Sequence, residues 1–167
     1  MDLRILKMAK NKFPVTPAVR EFRSHKMDFE PYLYQYVKHG GTEVAAAALG
    51  VDEIKVIKTL VMEDEDKKPL IILMHGNAMV STKNLARALK VKSVEPCQPK
   101  IASLHTGYQI GGTSPFGTRK KMPIYAEKTI ADFSHVYINA GKRGFLARIS
   151  TKDLLRVLNP TLVEVAI

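Results

Sequence analysis

Twelve residues, Thr106-Gly107-Tyr108-Gln109-Ile110-Gly111-Gly112-Thr113-Ser114-Pro115-Phe116-Gly117, constrain this chain more than any other stretch. Four glycines and a proline fall within it. Glycine suits backbone that must bend through positive φ or come close to a ligand, and proline stiffens the turn that holds it. The span runs into Arg119-Lys120-Lys121, and a second glycine turn, Gly141-Lys142-Arg143-Gly144, also carries cations. Two loops that expose backbone N–H groups beside positive charge suit an anionic ligand with a small reacting end.

Simple motifs fail on these residues. A phosphate-binding P-loop needs Lys after its last glycine, whereas Gly117 is followed by Thr118-Arg119, with Pro115 inside the loop. A nucleophile elbow needs glycine two residues beyond the serine, and Ser114 is followed by Pro115-Phe116. Ser114 is therefore a poor activated nucleophile.

The 167 residues fit one domain with its own core. Lys and Arg number 26 against 16 Asp and Glu, a net charge of +10, which favours a polyanionic partner through counterion release. The single cysteine, Cys97, excludes an internal disulfide and fits a reducing compartment, so the expected location is the cytoplasm. Apolar runs such as Leu70–Met74 fall far short of the roughly 20 residues of a membrane span, and no signal-peptide pattern opens the chain. Residues 1–14, with Arg4, Lys7, Lys10 and Lys12, read as a flexible basic arm ahead of a single domain over 15–167.

Thr16-Pro17 opens a helix to about Ser24, and Phe29 to Tyr36 reads as a strand. A helix over Glu43–Leu49 stops at Gly50. Alternation at Lys55–Met62, an acidic turn, and Pro69–Met74 make a hairpin. Ser81 caps a helix to Leu89, and another spans Pro99–His105. Strands follow near Pro123–Ala126, His135–Asn139 and Phe145–Ile149, then a helix from the Ser150-Thr151-Lys152-Asp153 capping box to Asn159, and a last strand over Thr161–Ile167. Six or seven strands mixed with four or five short helices predict a mixed α/β (α+β) fold.

On the alternating strand, Lys58 shares a face with Val56 and Leu60, which directs it toward apolar surroundings. The commoner fate of a strand lysine is to snorkel into water. Cys97 has no neighbouring histidine, and the five histidines show no i, i+4 pair or zinc spacing, so neither a catalytic thiolate nor a metal is indicated. Glu63, Asp64, Glu65 and Asp66 crowd a hairpin turn and read as solvated charge.

Thr106-Gly107-Tyr108, Gly111-Gly112-x-Ser114-Pro115-x-Gly117, Gly141-Lys142-Arg143-Gly144 and Lys58-Thr59-Leu60 together resemble the YbaK-type aminoacyl-tRNA deacylases, relatives of the editing domain inserted in bacterial prolyl-tRNA synthetase. The resemblance covers roughly Phe29 to Ile167. It implies a bent, partly barrel-like mixed sheet with helices outside, and a trans-editing hydrolase acting most readily on Cys-tRNA(Pro), without a cofactor. Lys58 would bind the terminal adenosine's phosphate or position the ester, and Gly111 and Gly112 would offer amides to the carbonyl as charge develops. Tyr34, Thr59, Thr113, Ser114, Pro115, Asn139 and Gly141 would line the substrate pocket. Arg119, Lys120, Lys121, Lys142 and Arg143 would contact the tRNA acceptor end, with prolyl-tRNA synthetase a further partner and no membrane involved.

An aminoacyl ester is already activated, so a positioned water, or the thiol of a cysteinyl substrate, can cleave it without a protein nucleophile. The chain departs from cysteine-specific relatives at Asn139-Ala140, Leu146 and Gly40-Gly41, which leaves Cys, Ala, Ser and Thr open as the amino acid removed. A noncatalytic RNA-binding module and a hydrolase of a small nucleotide-linked ester stand as alternatives.

Overall fold

A computed structural model describes residues 12–167. Most of the expected basic arm therefore lies outside the described residues, and Phe13 already packs edge-on against Phe29 and tilted against Phe145.

Local signals set the helices. In α1 (Pro17–Ser24) the Thr16 hydroxyl accepts from Val19 N–H at 3.1 Å and Pro17 occupies the first turn. Gly41–Leu49 form α2, closed by Gly50. Ser81 caps α3 (Thr82–Leu89), and α4 (Pro99–Thr106) ends at Gly107. Ser150 caps α5 (Thr151–Leu158) by accepting from Asp153 N–H at 3.1 Å.

The strands are β1 (Phe29–Leu33), β2 (Val56–Asp64), β3 (Pro69–His75), β4 (Val94–Pro96), β5 (Ile124–Glu127), β6 (His135–Lys142), β7 (Phe145–Ser150) and β8 (Thr161–Val163). They form one mixed sheet in the order β1-β7-β6-β2-β3-β5-β8, with β4 beside β2. The mixed α/β class is as the sequence predicts, with eight strands among the described residues rather than six or seven. The additional strand is β4, too short to show alternation. β1 stops at Leu33, short of Tyr36, and β8 stops at Val163, after which Ala166 bridges Val80. Asp64 turns the β2–β3 hairpin by accepting from the N–H groups of Asp66 and Lys68.

β3 is the spine. Ile71 and Leu73 face a main core shared with α1 and α5, while Leu70, Ile72 and Met74 face a second cluster under α3. Each such fully buried side chain contributes about 1.5–3 kcal/mol, which anchors β2 alongside. A third cluster packs α2 (Ala45, Ala46, Leu49) on Val56, Tyr32 and Leu146.

Candidate active site

On the edge away from β3, β2 has two partners in series. β6 pairs in parallel with Val56 and Ile57, and β4 pairs antiparallel with Met62, Glu63 and Asp64. Cys97 N–H extends the second ladder by one bond to Val61 O, at 3.1 Å. Between these ladders the register lapses at Lys58, Thr59 and Leu60. Main-chain polar groups alternate edges along a strand, so Thr59, two residues before Val61, turns its N–H and C=O to the open edge, and Lys58 and Leu60 turn theirs to β3. A cavity of about 720 Å³ follows this gap, and every residue from Val56 to Met62 lines it.

Side chains alternate too. Ile57 and Val61 belong to the main core, so Thr59 points that way, and its hydroxyl is buried without a hydrogen-bond partner. Lys58 points to the other face with Val56, Leu60 and Met62. Val56 belongs to the cluster under α2 and Leu60 and Met62 to the one under α3, so the ammonium stands in the cleft between two apolar clusters. Its Nζ donates to Ala78 O at 2.7 Å. Among the described lining residues Lys58 is the one permanent charge, and none is a carboxylate.

The two glycine loops meet at one end of the cavity. Asn139 clasps them: its Nδ2 donates to Gly111 O and Lys142 O, both at 3.2 Å, and its Oδ1 accepts from Gly141 N–H at 2.7 Å. The clasp sits at the register shift in β6 between Asn139 and Lys142. Arg143 Nε donates to Ile110 O at 2.7 Å, and its guanidinium lies 5.0 Å from the Tyr36 ring centroid. Gly112 lies so close to the second turn that a Cβ there would sit 2.7 Å from Arg143 N. Gly111, with φ +86°, packs on the Tyr36 ring.

Of the residues singled out from sequence, Tyr34, Lys58, Thr59, Gly111, Thr113 and Asn139 line the cavity. Gly112 does not, and its N–H donates to Gln109 O at 2.9 Å, which leaves the neighbouring Gly111 as the member of that pair facing the cavity. Ser114 and Pro115 are buried beneath the loop, where the Ser114 hydroxyl accepts from Phe116 N–H at 3.2 Å. Gly141 forms the adjoining turn, where a Cβ would meet Tyr108 and Thr16. Arg119, Lys120, Lys121 and Lys142 are exposed to differing degrees, and Arg143 is half-buried against Tyr36. Arg119 and Lys120 pair through their N–H groups with Thr106 O and His105 O, so this basic stretch is fixed to the end of α4.

Sequence reasoning passed over Tyr36, Ala78 and Met79. The cavity-facing Tyr36 had a signal in its spacing of two from Tyr34, but Ala78 acts through its carbonyl, which no side chain advertises. Cys97 also lines the cavity; burial first, then the Glu63 carboxylate 3.7 Å away, pushes its thiol up to about 11, so it is protonated at neutral pH. Burial, with Tyr36 adding to it, likewise raises the Tyr34 phenol. No helix among the described residues is long and apolar enough to cross a membrane.

A single permanent cation, apolar walls and no carboxylate among the described lining residues leave a cleft that can hold a polar or anionic group against Lys58. The class is thus a mixed α/β domain with a ligand-sized cleft along the open edge of β2. The family model of the aminoacyl-tRNA editing domain matches residues 40–157, and the chain belongs to that family; it is an aminoacyl-tRNA deacylase. It is 31% identical over 160 residues, covering 95% of this chain and 98% of the relative, to the Enterococcus faecalis protein EbsC, whose name proposes a Cys-tRNA(Pro)/Cys-tRNA(Cys) deacylase. A proline–tRNA ligase of Streptococcus pyogenes is 30% identical over 100 residues, 60% of this chain but only 16% of the ligase. The fold matches a crystal structure described as a proposed trans-editing enzyme for prolyl-tRNA synthetase, with TM-score 0.80 and 19% identity over 92% of this chain and 99% of that one.

Proposed function

We propose that this deacylase removes cysteine from Cys-tRNA(Pro), with the terminal aminoacyl-adenosine seated along the open edge of β2. The observation that carries the reading is the Lys58 ammonium, held by Ala78 O between two apolar clusters in the cavity that the Gly111 loop borders. One N–H of Lys58 is spent on Ala78, leaving two for the ester or the adjoining phosphate. A volume of about 720 Å³ suits a ligand of nucleoside size rather than an amino acid alone. Walls from Val56, Leu60, Val61 and Val80 favour a thiol or methyl over a hydroxyl, whose burial without a partner is costly.

Bond cleavage in this reading needs no protein nucleophile. Water, or the substrate's own thiol, attacks the ester carbon; the carbonyl oxygen gains charge against the Gly111 amide and the Lys58 ammonium; the ribose hydroxyl leaves with a proton. Thr59, through the main-chain groups it turns to the open edge, holds the substrate's amino group, and Tyr34, Thr113 and Asn139 complete the pocket. Ser114, Pro115, Gly112 and Gly141 support the loops that border it. Arg119, Lys120, Lys121, Lys142 and Arg143, with the basic arm of residues 1–14, contact the acceptor end. The enzyme works in the cytoplasm and meets prolyl-tRNA synthetase there.

The test is a deacylation panel with Cys, Ala, Ser and Thr on tRNA(Pro), run with the natural chain and with Lys58→Ala. Cysteine should be released fastest, and loss of the charged donor should slow release by at least about tenfold. Equal rates for both chains would remove Lys58 from the chemistry, and faster loss of Ser or Thr would overturn the assignment to cysteine.

A further inference from the structure

Glu127, at the end of β5, is 4% exposed, and a carboxylate so buried needs strong hydrogen bonds to offset its lost hydration. It has two: Oε2 accepts from Val165 N–H at 2.7 Å and from Ala166 N–H at 3.1 Å. Those residues belong to the segment that follows β8, and that segment is paired along its other edge. Ser81 N–H donates to Val165 O at 2.8 Å, and Met79 and Ile167 exchange N–H···O bonds of 2.9 Å. The stretch 79–81 thus hangs on the segment Glu127 holds. Immediately before it is Ala78, whose carbonyl receives the Lys58 ammonium, and Met79 and Val80 line the cavity.

We propose that Glu127 is a positioning residue for deacylation: it fixes the segment 165–167, which fixes 79–81, which places the Ala78 carbonyl and so the Lys58 ammonium. The connection is a chain of main-chain hydrogen bonds with one buried anion at its far end. No substrate reaches Glu127, which does not line the cavity. Its contribution is to the location of the cation, and the inference rests on the reading of Lys58 given above.

Because a buried carboxylate also supports the fold, the test is a double-mutant cycle read in kcat, with thermal melting to confirm folding. In the natural background Glu127→Ala should lower kcat on Cys-tRNA(Pro) roughly 10- to 100-fold, the scale of a displaced catalytic group. In the Lys58→Ala background the same change should cost less than about twofold, because the group it positions is gone. Glu127→Gln keeps an acceptor oxygen for both amides and should recover most of the rate. Equal factors in the two backgrounds, or a Gln variant as slow as Ala, overturns the inference while leaving the role of Lys58 standing. A Lys58→Ala chain with undiminished kcat overturns both. If Glu127→Ala does not fold, Ala166→Pro, which deletes one of the two amides, replaces it in the cycle: a loss confined to the Lys58 background supports the inference, and equal losses in both backgrounds overturn it.

Discussion

Replacing Gly112 with alanine adds one methyl group at the place where the two glycine loops touch. Its Cβ would lie 2.7 Å from Arg143 N, 2.9 Å from Lys142 C and 3.0 Å from Lys142 Cα, all backbone atoms that cannot swing aside. Ordinary contact begins near 3.4 Å, so the loops must part by about 0.7 Å (3.4 less 2.7). Overpacking of this kind costs about 1–3 kcal/mol, and at roughly 2–4 °C per kcal/mol for a chain this size the melting temperature should fall by about 2–12 °C. The effect on catalysis should be larger in proportion. Separation of the turns strains the Asn139 clasp and carries Gly111 away from the cavity, and a displacement approaching 1 Å can cost up to about 100-fold in rate. Single-turnover deacylation of Cys-tRNA(Pro), with melting followed by circular dichroism, reads both quantities. A Gly112→Ala chain that melts and turns over like the natural one would show that the loop contact has no bearing on the site.

Two further outcomes follow from the charges and the thiol. Burial raises the Cys97 thiol from its ordinary 9.0 to about 11, so its contribution to stability is complete below about pH 9 and is lost as pH rises toward 11; alkylation of the native chain should accelerate over that same range, and a midpoint below 9 contradicts the burial described. With Arg119, Lys120 and Lys121 all changed to alanine, the slope of log K for tRNA against log salt should become shallower by roughly 2–3, since each phosphate contact contributes about 0.7–0.9; an unchanged slope places the RNA elsewhere.

Helix boundaries were legible because their signals are local. Thr16-Pro17, Ser81 and Ser150 each satisfy amides within a few residues, and Gly107 closes α4 on the spot. Strand order was not, since β2 meets β6 across some 80 residues, and β4 exists only because the far end of β2 offers it an edge. The environment of Lys58 could be read from the alternation of Val56 and Leu60. Placing Thr59 in the same pocket could not be explained that way, because adjacent side chains point to opposite faces; the lapse in pairing lets both residues reach one cavity. The Gly111-Gly112 pair was visible as a bend, but which amide is occupied depends on Gln109 and appears only in three dimensions.

The interrupted edge of β2 has a consequence for solubility. Unpaired strand edges ordinarily invite another chain to add itself, the route to aggregates. Here the gap covers the three residues Lys58 to Leu60, about 10 Å of strand, and is stoppered at one end by β6 and at the other by the ladder to Cys97 and β4. No foreign strand of useful length can lie down between those stops, so the protein can keep bare peptide groups available to a small guest without becoming a template for its own polymerisation.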